Sequence, residues 1–265
     1  MAIERKMALV TGATAGIGAS YAKFLALEGF DLVLVARDRK RLNERAKEFA
    51  KLGAKVEVIS ADLATKAGQS KVEARLLKKL KPIEVLINNA GFGINKAFSR
   101  SDREKENDLL EVLVTAPMRF THAVLPAMKE RNSGVIINVS SVASFIAGGS
   151  YSAAKSYLTV LSESIHTELK GSGVKITALC PGFTHTEFHA RGKMNLSGLP
   201  EILWLSADDV VRAGWRDAIA GKAISIPSWQ YKFISSLARL APRPIVRKIG
   251  MNVRVRQRQN HSKIG

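Results

Sequence analysis

The sequence contains a single cysteine, Cys180, which excludes an intramolecular disulfide and fits a reducing compartment. No stretch reaches the roughly 18 uninterrupted apolar residues that a bilayer-spanning helix needs. The first ten residues carry charge but no apolar run of signal-peptide length, so a cytoplasmic location is expected. Proline is sparse at 8 residues and no internal repeat or low-complexity segment is present, while 46% of the 265 residues are hydrophobic. Disordered, collagen-like and repeat architectures are excluded on that composition. His185 and His189 stand four apart without further ligands nearby, so no metal site is expected.

Acidic residues are the most unevenly missing. Against 41 Lys+Arg there are 23 Asp+Glu, a net charge of +18, and no acid follows Asp217. Beyond it stand Lys222, Lys232, Arg239, Arg243, Arg247, Lys248, Arg254, Arg256, Arg258 and Lys263. These ten charges leave +8 on the first 217 residues, so the chain is a moderately basic body with a concentrated basic tail.

What is present is an alternation of short apolar runs with amphipathic stretches. Strands are predicted at Met7–Thr11, Asp31–Ala36, Lys55–Ser60, Ile83–Asn88, Gly134–Ser140, Lys175–Cys180 and, briefly, Ala223–Ile226. Helices are predicted at Ile17–Leu27, Arg39–Leu52, Thr65–Leu80, Tyr151–Leu169 and Ala207–Ala220. A long one spans Ser101–Lys129, which Pro117 should start, kink or split because it lacks a donor. The order implies an α/β fold: a doubly wound parallel sheet of six or seven strands with helices on both faces and ligands at the carboxyl ends of the strands. No linker interrupts residues 1–227, and 228–265 reads as a basic amphipathic C-terminal extension, not an independent domain.

Between the first strand and first helix lies Thr11-Gly12-Ala13-Thr14-Ala15-Gly16-Ile17-Gly18. Glycines there let the backbone approach a pyrophosphate, whose charge is stabilised by amide donors and the helix N-terminus. The same glycines could serve a tight turn alone. At the end of the second strand Arg37 suits the 2′-phosphate of NADP, whereas an acid would suit the free hydroxyl of NAD. Arg37 could instead simply begin a solvated helix, and Asp38 keeps NAD(H) as the alternative cofactor. Tyr151 and Lys155, four apart, share one face of a helix. A nearby ammonium favours a phenolate and so suits tyrosine to proton transfer, though such a pair alone is weak.

The ordered set of motifs resembles the short-chain dehydrogenase/reductase family over residues 5–226. It comprises the glycine turn, Asp62-Leu63, Asn88-Asn89-Ala90-Gly91, Ser140-Ser141, Tyr151-Ser-Ala-Ala-Lys155, and Pro181-Gly182 with Thr184 and Thr186. The stretch Thr177–Phe188 looks like the branch of bacterial broad-substrate reductases related to ketoacyl and hydroxysteroid reductases. The resemblance implies a single Rossmann domain and an NADP(H)-dependent enzyme that transfers hydride between nicotinamide and a ketone or secondary alcohol. It implies Tyr151 as general acid and base, Lys155 holding the nicotinamide ribose and lowering the tyrosine pKa, and Ser141 bonding the substrate carbonyl. Gly12, Thr14, Gly16, Ile17 and Gly18 would meet the pyrophosphate, with Arg37, Asp62, Leu63, Asn89, Ala90 and Gly91 toward the adenosine side. Pro181, Gly182, Thr184 and Thr186 would meet the carboxamide and phosphates. The family also implies a homodimer or homotetramer.

Two departures stand out. Asn138 occupies the family's usual serine spacing of 13 before the tyrosine but lies within a strand, so a shortened loop favours Ser141, with Ser140 and Ser144 behind it. Leu113 stands where the family often has an asparagine that anchors a relay water, and an impaired dinucleotide-binding scaffold is the alternative function. Phe92, Phe145, Ile146, Phe183, His185, Phe188, His189 and Trp204 predict a lipophilic carbonyl or alcohol substrate, with ordinary packing as the competing explanation. In the tail, Phe233, Ile234, Leu237 and Leu240 recur at helical spacing ahead of Pro242 and Pro244, and Ile245, Val246 and Ile249 follow. Packing on the fold with a solvated end from about Asn252, contact with an anionic membrane surface at its inner face, and nucleic-acid binding are the three readings. No recognition motif accompanies the last, so no specific nucleic acid is expected.

Overall fold

The computed structural model describes residues 5–192, 194 and 199–258. Seven parallel strands form one sheet: β1 (Met7–Thr11), β2 (Asp31–Ala36), β3 (Val56–Ser60), β4 (Ile83–Asn88), β5 (Gly134–Val139), β6 (Val174–Leu179) and β7 (Ile224–Ser225), in the order β3-β2-β1-β4-β5-β6-β7. The chain reverses its winding between β1 and β4, which opens a crevice at their carboxyl ends.

The strands read as near-continuous apolar runs because both faces are covered. On one face Val10, Leu32, Leu34 and Ile87 pack with Tyr21, Leu25, Leu42 and Val210 from α1 (Gly16–Leu27), α2 (Arg39–Ala50) and α8 (Ala207–Ile219). On the other, Leu9, Val33, Leu86 and Ile136 meet Val72, Phe120, Val124 and Met128 from α3 (Lys66–Leu76) and α5 (Ala116–Glu130). The remaining helices are α4 (Arg103–Leu110), α6 (Ser150–Glu168), α7 (Glu187–Arg191), α9 (Trp229–Leu240) and α10 (Arg243–Arg258).

Most boundaries fall within one or two residues of the sequence pattern, and the larger departures are in the long central helix, α3 and the tail. The helix predicted over Ser101–Lys129 runs on through α4, a π-helical turn at Glu111–Thr115 and α5 with helical dihedrals at each junction, and Pro117, which lacks a donor, follows directly on the π-helical turn. α3 begins at the Thr65 cap, whose hydroxyl accepts from Gly68 N at 3.1 Å, and stops at Leu76, four residues before the expected end. The tail beyond Asn252 stays helical to Arg258, and Lys263 lies outside the described residues.

Candidate active site

The glycine turn is locked to the sheet from below. The Thr11 hydroxyl donates to Ile87 O and accepts the Asn89 and Ala90 amides at 2.9 and 3.0 Å. The Asn89 side-chain amide donates to the carbonyls of Thr11 and Gly12. Asn89 therefore holds the shape of the turn with the group expected to face adenosine, and Thr11 is a site-building residue to which the motif alone assigns no role. Gly12 and Gly16 adopt φ of 67° and 54°, which disfavours side chains. A Cβ on Gly18 would lie 2.3 Å from Gly12 O and from Asn89 Nδ2. α1 starts here with no side-chain cap and no acid in its first turn, so its amide donors face the crevice without a competing carboxylate. A turn whose backbone conformation and close packing admit only glycine at these positions, beside an uncapped helix N-terminus, fits a dinucleotide pyrophosphate.

Around the cradle the other expected residues are distributed as follows. Thr14 is buried, while Ile17 packs against the core. Arg37 is exposed, but the neighbouring Asp38 carboxylate is engaged, accepting from Arg41 N at 3.0 Å as the cap of α2. Asp62 is exposed with one carboxylate oxygen on Ala64 N, and Leu63 is in the core. Gly91 is exposed and close to Leu113 and Lys155. Pro181 accepts from Val142 N, linking the turn after β6 to the serine loop. Gly182 is covered by the Tyr231 ring, Thr184 is buried with its hydroxyl on Gly182 O, and Thr186 sits against Gly16 while capping α7. α7 is tied to α2 by Arg41 and Glu187 at 2.7 Å, and the Arg41 and Arg191 guanidiniums hold the Glu187 carboxyl down at about 2.

Across the crevice Tyr151 and Lys155 stand on the first turns of α6. Lys155 is 4% exposed, donates to Val139 O at 2.6 Å and lies 5.7 Å from the centre of the Tyr151 ring. Burial lowers its pKa to about 8 and raises that of Tyr151 to about 12, the latter opposed by a hydrogen bond with Ser141, so the expected lowering of the tyrosine pKa by Lys155 is not found: desolvation outweighs it. The structure separates the serines. Ser140 is buried with its hydroxyl on Lys155 O and Thr159, the buried Ser144 hydroxyl has no hydrogen-bond partner among the described residues, and Ser141, whose hydroxyl accepts from Ala143 N at 3.1 Å, is hydrogen-bonded with Tyr151. Asn138 is inside β5, as the spacing argument expects, bonded to Asn88 and Ser162.

Leu113 falls on the π-helical turn, buried beside Lys155, and the two border a cavity of about 10 Å³ together with Thr11, Asn88 and Ala90. That is about the space one water occupies. Asn88 Oδ1 has no partner among the described residues. Above Tyr151 stands Phe188, with ring centres 5.8 Å apart, and Phe183, His189 and Trp204 close an aromatic group behind it. Phe145 lies instead under the Arg239 guanidinium, and His185 is stacked on Trp204 and paired with Glu201.

Residues 6–195 match the family model for short chain dehydrogenases. An uncharacterised oxidoreductase of Staphylococcus saprophyticus is 32% identical over 75% of this chain and 89% of its own length. Among solved structures, a short-chain dehydrogenase from Sphingobium yanoikuyae in complex with NADPH superposes with a TM-score of 0.80 at 32% identity, covering 87% of this chain and 92% of that one. The bulky-bulky ketone specific alcohol dehydrogenase of Comamonas testosteroni follows at 0.76 and 30%, covering 88% and 92%. With its seven-stranded parallel sheet and its glycine cradle, the chain belongs to the short-chain dehydrogenase family and is an oxidoreductase that works with a nicotinamide cofactor.

Proposed function

We propose that the protein is an NADP(H)-dependent reductase of lipophilic ketones, and in reverse a dehydrogenase of the secondary alcohols, with Tyr151 as the general acid and base. The observation that carries this is the convergence of Ser141, Tyr151 and Lys155 at the carboxyl ends of the central strands, facing the glycine cradle. When bound, NADPH supplies the hydride to the carbonyl carbon. Ser141 orients and polarises the carbonyl oxygen, and the Tyr151 hydroxyl delivers its proton there. Tyr151 held near 12 keeps that proton at neutral pH, and the Lys155 ammonium stabilises the phenolate left behind. Preference for the 2′-phosphate is supported by the exposed Arg37 and by the engagement of Asp38 as a helix cap. A lipophilic substrate is supported by Phe188 over Tyr151, and by the specificity of the similar Comamonas alcohol dehydrogenase for bulky-bulky ketones. Exposed Leu110, Tyr157 and Val160 on α4 and α6 give a homodimer or homotetramer an apolar surface.

A second reading is favoured by Leu113. An apolar side chain in place of an amide removes a hydrogen-bonding group beside Lys155, and a dinucleotide-binding scaffold of low turnover would retain everything else. Purified protein with NADPH and a panel of hydrophobic ketones separates the two. Tyr151→Phe should lower turnover by about 10²–10⁴-fold and leave NADPH affinity within about twofold. Equal rates for the two proteins remove Tyr151 as the acid, and NADPH binding without turnover on any ketone favours the scaffold.

A further inference from the structure

Helices α9 and α10 present a face that neither the core nor the active site uses. α9 is fixed to the body along one side: Tyr231 and Ser235 are buried, the Tyr231 hydroxyl donates to Leu203 O and accepts from Phe183 N, and Arg239 pairs with Glu163. At 100° per residue, Trp229, Phe233, Leu237 and Leu240 fall within one narrow arc of the other side. They are 71%, 62%, 54% and 85% exposed. Exposed cations stand on the same two helices, Lys232 on α9 and Arg243, Arg247 and Lys248 on α10, which follows α9 after two residues, and none is in an ion pair among the described residues. No acidic residue follows Asp217 to dilute them.

We infer that this face docks the protein on an anionic lipid bilayer, the stripe sinking into the boundary between headgroups and acyl chains and the cations meeting lipid phosphates. Large aromatic and aliphatic side chains on one arc with Lys and Arg beside them are what a helix lying in the interface plane requires. Each such cation adds about fivefold to binding at an anionic surface. Charge complementarity selects the occupant. A second copy would bring two acid-free segments together, and their like charges oppose the contact. Nucleic acid would satisfy the cations and leave the stripe in water, because its outer surface is phosphate. A lipid surface satisfies both, and no helix among the described residues is long and apolar enough to cross it, so the contact is peripheral.

The position of the face gives it a consequence. Arg239 covers the Phe145 ring at 5.2 Å, and Gly250 lies so near the loop that a Cβ there would be 2.3 Å from Ala147 O. The two helices thus pack on the loop between Ser141 and Tyr151, and docking sets that loop beside the lipid. This consequence rests on the proposed reductase site; the docking face does not.

Flotation of the full-length chain with unilamellar vesicles tests it without reference to activity. Vesicles of phosphatidylcholine alone are compared with phosphatidylcholine and phosphatidylglycerol in a two-to-one ratio at physiological salt. Binding should be at least about tenfold stronger on the mixed vesicles, and Phe233→Ser/Leu237→Ser and Lys232→Glu/Arg247→Glu/Lys248→Glu should each lose at least about tenfold. These side chains are exposed, and unchanged thermal unfolding would show that the variants are folded. Trp229 emission should shift to shorter wavelength on the mixed vesicles, a shift missing in Trp229→Phe. Absence of flotation, or flotation unaffected by the apolar pair, overturns the proposal. So does loss of a dimer in Phe233→Ser/Leu237→Ser by light scattering with no vesicle binding, which assigns the face to a second copy. Retention on duplex DNA through the same cations, again without vesicle binding, assigns it to nucleic acid.

Discussion

Lys155→Met should stabilise the protein at neutral pH while destroying the site. The Lys155 pKa falls from the ordinary 10.5 to about 8 because the ammonium is buried, and at about 1.4 kcal/mol per pKa unit this is about 3 kcal/mol against the charged form. Below pH 8 the lysine is charged in both the folded and the unfolded chain, so the whole cost opposes folding. Between 8 and 10.5 the unfolded chain holds a proton that the folded one has released, so stability rises with pH. Above 10.5 both forms are neutral and the cost is gone. Methionine has no such term, but it forfeits the bond to Val139 O, worth about 1–2 kcal/mol. The variant should therefore be more stable than the parent by about 1–2 kcal/mol at pH 7 and less stable by a similar amount above pH 10.5. Urea unfolding of the two proteins in parallel, at a series of pH values, measures the difference with every other titration cancelled. A difference that does not change with pH, or a variant less stable at pH 7, would refute the reasoning.

On the proposed mechanism the same titration should govern catalysis: kcat/KM for reduction should fall as pH rises through about 8, where Lys155 loses its charge, while Tyr151 at about 12 keeps its proton throughout; a profile flat to pH 10 would contradict this. Gly18→Ala should abolish dinucleotide binding by titration calorimetry, since the new methyl would sit 2.3 Å from Gly12 O. Arg37→Ala should raise the KM for NADPH by about 10–100-fold, the worth of a charge-assisted contact, and leave that for NADH within about twofold. Leu113→Asn should move the alkaline limb of kcat/KM to higher pH, because an amide in that cavity can accept from the Lys155 ammonium.

What the sequence made legible was what is local. The apolar runs of β1, β2, β4, β5 and β6 announce themselves because both faces of the sheet are covered there, so polar residues such as Glu84, Asn138 and Lys175 are few, whereas β3 at the sheet edge reads as an alternation. Tyr151 and Lys155 are readable as a pair because one helical turn separates them, and the glycine turn because its residues are contiguous. The choice among Ser140, Ser141 and Ser144 needed the third dimension: Ser140 is removed by Thr159 and the Lys155 carbonyl, partners that only the packing of α6 on β5 supplies. Asp38 beside Arg37 is an open alternative in the sequence, and only the folded chain shows its carboxylate capping α2. The irregularity of the long helix was half readable, since Pro117 marks it, but the π-helical turn and the close fit of its Leu113 against Gly91 appear only in the folded chain.

That fit ties together two features that are separate in the sequence. There Leu113 is a departure from a family pattern, and Lys155 is simply the second half of a catalytic pair. In the structure they border the same small cavity, and the carbonyl of Val139 is the polar group that the ammonium meets there. Burial is the largest cause of the low lysine pKa, and a leucine where an amide could stand is part of that burial. Lys155 is thus held close to losing its proton and Tyr151 far from losing its own, so the protonated tyrosine that the proposed reduction needs is the form present at neutral pH. Within the proposed chemistry that asymmetry favours reduction of the carbonyl over oxidation of the alcohol at neutral pH.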